Sequence, residues 1–141
     1  TYLPVDENGI IALEDLQIRV TNFIEKANLA SKETVFEFNV DSELSKDITF
    51  TSVQGMNVYR IIQEAINNSL KYAEAETIKV SFKTINNYFE FSVVDNGKGF
   101  EMNEVEVGNG LNNMRKRALD IEANLTIKSE TNKGTCIVLT L

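Results

Sequence analysis

Between Ile78 and Val93 apolar residues fall on every second position: Ile78, Val80 and Phe82 before the pair Asn86–Asn87, and Phe89, Phe91 and Val93 after it. A period of two buries one face of a strand and leaves the other in water. Two such runs joined by residues that tolerate positive φ read as a β-hairpin. Its apolar face needs a cover, and the chain offers helices. Leu13, Leu16, Val20, Phe23, Ile24 and Ala27 recur at spacings of three and four within Ala12–Ala30, as do Ile61, Ile62, Ala65, Ile66 and Leu70 within Val58–Ala73. A third pattern, Leu111, Met114, Ala118 and Ile121, predicts a helix over roughly Leu111–Ala123.

The remaining apolar runs are strands. Val35–Val40 alternates at Phe36, Phe38 and Val40, and a second hairpin runs from Leu125 and Ile127 through a turn at Thr131–Gly134 to Thr135–Leu141. Strands grouped in hairpins, with helices able to cover only one side, predict an α+β two-layer sandwich: a mixed sheet covered on one face by about three helices. The 141 residues suffice for one such core and contain no repeat or Ser/Gly-rich linker. With Pro4 the single proline, the expected organisation is a trimmed linker over residues 1–9 and one domain over residues 10–141.

Composition removes several function classes. Apolar residues at 43% and charged residues at 25% exclude a disordered or low-complexity chain. A net charge of −7 without a basic run argues against direct nucleic-acid binding. No apolar stretch approaches the roughly 20 residues of a membrane span. Zero histidines and one cysteine, Cys136, exclude a zinc site, an internal disulfide, a Cys-His pair and a Ser-His-Asp triad.

Several short motifs could carry chemistry. Glu64, Asn68 and Lys71, at i, i+4 and i+7, align a carboxylate, an amide and an ammonium on one face of the second helix. Asp95 ends a strand and opens D-x-G-x-G with Gly97 and Gly99, a form that lets backbone approach a flat ligand while the carboxylate accepts hydrogen bonds. Gly108-Asn109-Gly110-Leu111 opens the third helix, where free N–H groups favour an anion. Gly134-Thr135 sets a hydroxyl at the start of the last strand. Each also has an ordinary reading: a solvated helix row, an Asp-Asn-Gly turn, a helix cap, a hairpin closure. The basic cluster Arg115, Lys116 and Arg117 reads as a solvated helix face. Neither the P-loop nor the Rossmann glycine pattern occurs, and a calcium loop lacks its further acidic ligands.

The order of these motifs says more than any one of them. An E-x-x-x-N-x-x-K-Y helix, a hairpin, D-x-G-x-G, a short loop, G-x-G-L and a final G-T follow one another, and in that order the chain resembles the ATP-binding catalytic domain of sensor histidine kinases over about Gln54–Leu141. That domain falls within the superfamily of the gyrase, Hsp90 and MutL ATPases. Gln63–Ala73 resembles its N box and Gly108–Ala118 its G2 box. The Q-E-A and G-L-x-x-M-R-x-R-A runs most resemble kinases that pair with LuxR/NarL-type response regulators.

The resemblance implies a Bergerat-type ATP-binding fold, with ATP and Mg²⁺ as cofactors. It implies Asn68 as the Mg²⁺ ligand and Glu64 as the catalytic carboxylate beside the γ-phosphate, orienting or deprotonating an attacking imidazole. Lys71 and Tyr72 would contact phosphate or ribose, Asp95 would accept the adenine amino group with Thr135 nearby, and Gly97 and Gly99 would admit the ring. Gly108, Asn109, Gly110 and Leu111 would flank the phosphates at the hinge of a short lid, Glu101–Val107. With no histidine in the chain, the phospho-acceptor is expected on a separate dimerisation helix. The implied partners are the protein's own dimerisation and histidine phosphotransfer domain and a LuxR/NarL-type regulator, with no membrane contact by this domain and a cytoplasmic location. An anti-sigma-type serine kinase and a non-catalytic nucleotide-sensing or partner-binding module are the other readings.

Overall fold

A computed structural model describes residues 9–41, 48–71, 73–100 and 109–141. The expectations placed on residues 1–8, on Tyr72, on the lid Glu101–Val107 and on Gly108 lie outside the described residues, as does the side chain of Asn109.

Two short strands each lead into a helix at the amino-terminal end: β1 (Ile10–Ala12) leads into α1 (Leu13–Ala30), and after β2 (Val35–Val40) comes β3 (Thr49–Thr51), which leads into α2 (Ser52–Lys71). The hairpin β4 (Thr77–Ile85) and β5 (Tyr88–Asp95) follows, then α3 (Asn109–Asp120) and the hairpin β6 (Asn124–Glu130) and β7 (Gly134–Thr140). A five-stranded sheet runs in the order β2-β4-β5-β7-β6, with β2 parallel to β4 and the other pairings antiparallel. The mixed sheet and the helices of the α+β expectation are present. At the first hairpin Asn86 and Asn87 take φ of 50° and 71°, the left-handed pair that a two-residue turn between right-twisted strands demands.

Register converts the period-two pattern into rows across the sheet. Val40, Phe82, Phe91, Leu139 and Leu125 form one row, and Phe38, Val80, Val93, Ile137 and Ile127 the next. Phe82 is 1% exposed and meets Phe38 and Phe91 edge-on, with ring centroids 5.0 and 4.7 Å away. Each such aromatic pair adds about 0.5–1.5 kcal/mol beyond its area. Leu16 and Val20 of α1, Ile61, Ile62, Ala65 and Ile66 of α2, and Leu111, Met114 and Ala118 of α3 complete this core from the helix side. The third row starts apolar with Phe36 and Ile78 and then turns polar: Asp95, Thr135, Ser129.

The helix bounds differ from the periodicity by three residues or more at two ends, each for a local reason. α2 begins at Ser52 rather than Val58 because Thr51 and Gln54 form a capping box. The Gln54 side chain accepts the Thr51 N–H at 2.9 Å, and the Thr51 hydroxyl accepts the Gln54 N–H at 3.1 Å. Gly55, in that added turn, lies so close to the buried Ile11 of β1 that a Cβ would stand 2.5 Å from its Cδ1. β1 and β3, unforeseen in the sequence, pair with each other as an antiparallel ribbon, and Gly9 accepts the Ser52 N–H at 2.9 Å.

α3 ends at Asp120 rather than Ala123 because the chain turns left-handed at Glu122, φ 53°. The Ala123 N–H reaches the Ala118 carbonyl at 2.9 Å and the Glu122 N–H reaches that of Leu119 at 3.1 Å, the paired bonds of a Schellman ending. A side chain in that conformation is strained, and glycine is not. Glu122→Gly is therefore expected to raise stability by about 0.5–1 kcal/mol, read as an increased urea midpoint at unchanged slope.

Candidate functional site

The polar third row is built around one buried carboxylate. Asp95 is 5% exposed, and three groups donate to it: the Ser69 hydroxyl to Oδ2 at 2.5 Å, and the N–H groups of Gly97 and Thr135 to Oδ1 at 2.9 and 3.2 Å. A carboxylate has about four lone-pair sites, so these donors leave one acceptor position on Oδ2 for a ligand. Beside it, the Thr135 hydroxyl lies 2.8 Å from that of Ser129.

The loop after β5 is stitched to the end of α2. Asn96 accepts the N–H groups of Glu76 and Thr77 at 3.0 and 2.9 Å, and the Lys98 N–H donates to the Ala73 carbonyl at 2.8 Å. Gly97 and Gly99 serve this stitching. A Cβ on Gly97 would collide with the Ala73 backbone, and one on Gly99, whose φ is 61°, would collide with the carbonyl of Glu130. The neighbours that require glycine at both positions include protein backbone.

The second half of the site lies between α2 and the first turn of α3. A Cβ on Gly110 would stand 2.5 Å from Glu64 Oε1, 3.2 Å from Asn68 Nδ2 and 3.4 Å from Asn68 Oδ1. Only a residue without a side chain lets the positive end of α3 come this close to the carboxylate and the amide. Among the described residues the buried Asn68 Nδ2 has no hydrogen-bond partner, an unmet donor that suits an acceptor such as a phosphate oxygen. Leu111 anchors the same turn in the core, and Lys71 is exposed at the end of α2.

Among the described residues no three His, Cys, Asp or Glu side chains converge. A hard amide oxygen beside a carboxylate is nevertheless a donor set that suits Mg²⁺, which takes one or two protein ligands and completes its shell with phosphate and water. Further along the groove, Arg60, Gln63, Glu64, Asn113, Met114 and Arg117 line a pocket of about 90 Å³. A larger one, about 210 Å³, includes Asp95 and Thr135 but is also walled by Val94, Lys128 and Cys136, which strand alternation assigns to the helix-free face.

Of the residues singled out in the sequence, Glu64, Asn68 and Gly110 converge, and Asp95 and Thr135 converge. Adjacent positions on α2 join the two groups, since Asn68 belongs to one and Ser69 to the other. Ser69 lies within the Gln63–Ala73 run with no role assigned to it there, and Ser129 carries no motif signal and becomes visible only through its register opposite Thr135. The solvated-face reading holds for Arg115 and Lys116, while Arg117 turns into the α2–α3 groove and donates to the buried Asn57 at 3.5 Å.

Residues 54–141 match the family model of histidine kinase-, DNA gyrase B- and HSP90-like ATPases. Over 82 residues, 57% of this chain, the sequence is 40% identical to the sensor protein VraS of Staphylococcus aureus and 37% identical to the sensor histidine kinase LiaS of Bacillus subtilis. The matched segment spans 24% and 23% of those relatives. The fold is similar to that of full-length ShkA in complex with AMPPNP, with TM-score 0.75 and 16% identity over 99% of this chain and 32% of that one. It is also similar to the catalytic domain of histidine kinase ThkA, with TM-score 0.71 and 16% identity over 94% and 92%.

Gly110→Ala tests the helix junction. Alanine favours a helix and the carboxylate end of Glu64 can swing aside, so the melting temperature should stay level or rise, while nucleotide affinity should fall about tenfold or more.

Proposed function

The chain belongs to the family of histidine kinase-, DNA gyrase B- and HSP90-like ATPases, and from that membership we propose that it is the ATP-binding catalytic domain of a two-component sensor histidine kinase. Its reaction transfers the γ-phosphoryl group of ATP to a histidine on a dimerisation helix. The observation that carries the reading is the convergence of Gly110 on Glu64 and on the unpartnered amide of Asn68. A helix N-terminus, a hard oxygen donor and a carboxylate able to take a proton are the parts phosphoryl transfer asks of a protein.

Asp95 accepts the adenine amino group on its remaining lone pair, with Thr135 beside it. Gly108, Asn109 and Gly110 are assigned to the phosphates, and Lys71 and Tyr72 to phosphate or ribose. Asn68 Oδ1 would be the protein ligand for Mg²⁺, which would supply neutralisation of phosphate charge. Glu64 orients the acceptor imidazole and takes the proton it gives up as the N–P bond forms and the bond to the β-phosphate oxygen breaks. The acceptor histidine, absent from these 141 residues, belongs to the protein's own dimerisation and phosphotransfer domain. The onward acceptor is a LuxR/NarL-type response regulator, and the reaction takes place in the cytoplasm.

Calorimetric titration with ATP, with Mg²⁺ and again with EDTA, tests the reading. Magnesium-dependent binding near one ATP per chain is expected; no binding in either buffer refutes it. Asp95→Asn keeps the shape and the donor-facing oxygen but turns an N–H toward Ser69 and the ligand. It should weaken ATP binding about tenfold or more with the unfolding transition retained, and unchanged affinity would remove Asp95 from the adenine site.

A further inference from the structure

Past Glu64 the groove between α2 and α3 continues into the pocket of about 90 Å³ that Arg60, Gln63, Asn113, Met114 and Arg117 close with it. The phosphoryl-transfer reading gives its two arginines no task. Each guanidinium is steered by one neutral oxygen. Arg60 Nη1 donates to Gln63 Oε1 at 3.3 Å, and Arg117 Nη1 lies 3.5 Å from Oδ1 of the buried Asn57, whose Nδ2 donates to the Val53 carbonyl at 2.9 Å. Among the described residues neither arginine pairs with a carboxylate, in a chain with 21 acidic side chains against 14 basic ones. Glu64, on the same wall, turns its Oε1 toward Gly110 instead.

Position along α2 decides what can come to this pocket. Arg60, Glu64 and Asn68 follow one another about one turn apart, so Glu64 stands between the arginines and the amide beside Gly110. In-line transfer brings the acceptor in opposite the leaving group. With the nucleotide phosphates assigned to the Asn68–Gly110 side, the acceptor reaches Glu64 from the arginine side. The pocket is too small for a second nucleotide, since pockets for such ligands run from about 300 Å³. It suits a carboxylate, which a guanidinium fork grips through two parallel bonds. Residues three or four apart on a helix stand about 5–6 Å from each other, as Arg60 and Glu64 do. A helix that lays an imidazole on Glu64 can therefore lay a carboxylate, one turn away, on Arg60 and Arg117.

We propose that the Arg60–Arg117 pocket is the docking site for an acidic side chain within one turn of the acceptor histidine, on the dimerisation helix that presents it. The proposal rests on the histidine-kinase reading of the site. Two positive charges here, in a chain of net charge −7, select an acidic helix over a basic one. They also fix its register, because a helix shifted by one turn would set its carboxylate against Glu64. Arg60 and Arg117 are positioning residues: they hold the partner helix and leave the reacting atoms to Glu64.

The test uses the complete kinase and this chain in parallel. Single-turnover transfer to the acceptor histidine, at saturating ATP and Mg²⁺, should fall about tenfold or more in Arg60→Gln and further in Arg60→Gln/Arg117→Gln. In this chain both variants should titrate with ATP as the wild type does. An unchanged transfer rate overturns the proposal, and so does a tenfold loss of ATP affinity, which would give the arginines to the nucleotide. Charge exchange separates docking from a merely structural role. Arg60→Glu should suppress transfer, and replacing the acidic residues within one turn of the acceptor histidine by lysine, one at a time, should restore it at one position. No restoring position, or no acidic residue there to replace, overturns the proposal. If Arg117→Gln loses the unfolding transition through its contact with Asn57, Arg60→Gln and the exchange carry the test alone. Failure of the wild-type kinase to phosphorylate a histidine refutes the underlying reading, an outcome distinct from normal transfer that ignores Arg60.

Discussion

The buried carboxylate of Asp95 is the constraint around which the two layers are arranged. A charge taken out of water is costly unless donors replace the water, and here they come from three places: the hydroxyl of Ser69 on α2, the N–H of Gly97 in the following loop and the N–H of Thr135 on β7. Charge-assisted bonds are about twice as strong as neutral ones. Layer spacing, loop path and strand pairing are thus fixed at a single side chain. Asn68 precedes Ser69 and Glu64 lies on the same helix, so whatever sets the seat of α2 on the sheet also sets where the amide and the carboxylate meet α3.

The anion site proposed for a chain of net charge −7 illustrates how little the total charge would say about a ligand. At the α2–α3 junction the N–H groups at the start of α3 bring partial positive charge beside the Glu64 carboxylate, while Arg60 and Arg117 lie further along the same groove. Lys71 adds a charge at the edge. The Gly110 position acts as the spacer that brings the helix end within reach of Glu64.

Legibility in the sequence followed the physics of each element. The hairpin at Asn86–Asn87 and the stripes of α1 and α3 were readable because burial there is one-sided and strictly periodic. The first turn of α2 was hidden by its composition, Val53-Gln54-Gly55, although the T-x-x-Q cap that starts it stands in plain sequence. β1 and β3 are too short to show a period and exist through each other. At the site, Glu64, Asn68 and Asp95 could be named from motif order. The roles of Gly97 and Gly99 could not, because the Ala73 and Glu130 backbone they press on is distant in sequence. Arg117 sits in a basic triplet that looks solvated, and only the crossing of α3 over α2 turns it inward.

Parity along β5 has one more consequence. Asp95 shares its face with Phe91 and Val93, so the alternation that drives the strand into the core is the same alternation that delivers the carboxylate to Ser69 and Thr135. A slip of one residue would turn all of them to the wet side together. Assembly and recognition are therefore checked by a single count along the chain, and a ligand that grips Asp95 favours correctly registered molecules over slipped ones, acting as a proofreader of the fold that holds it.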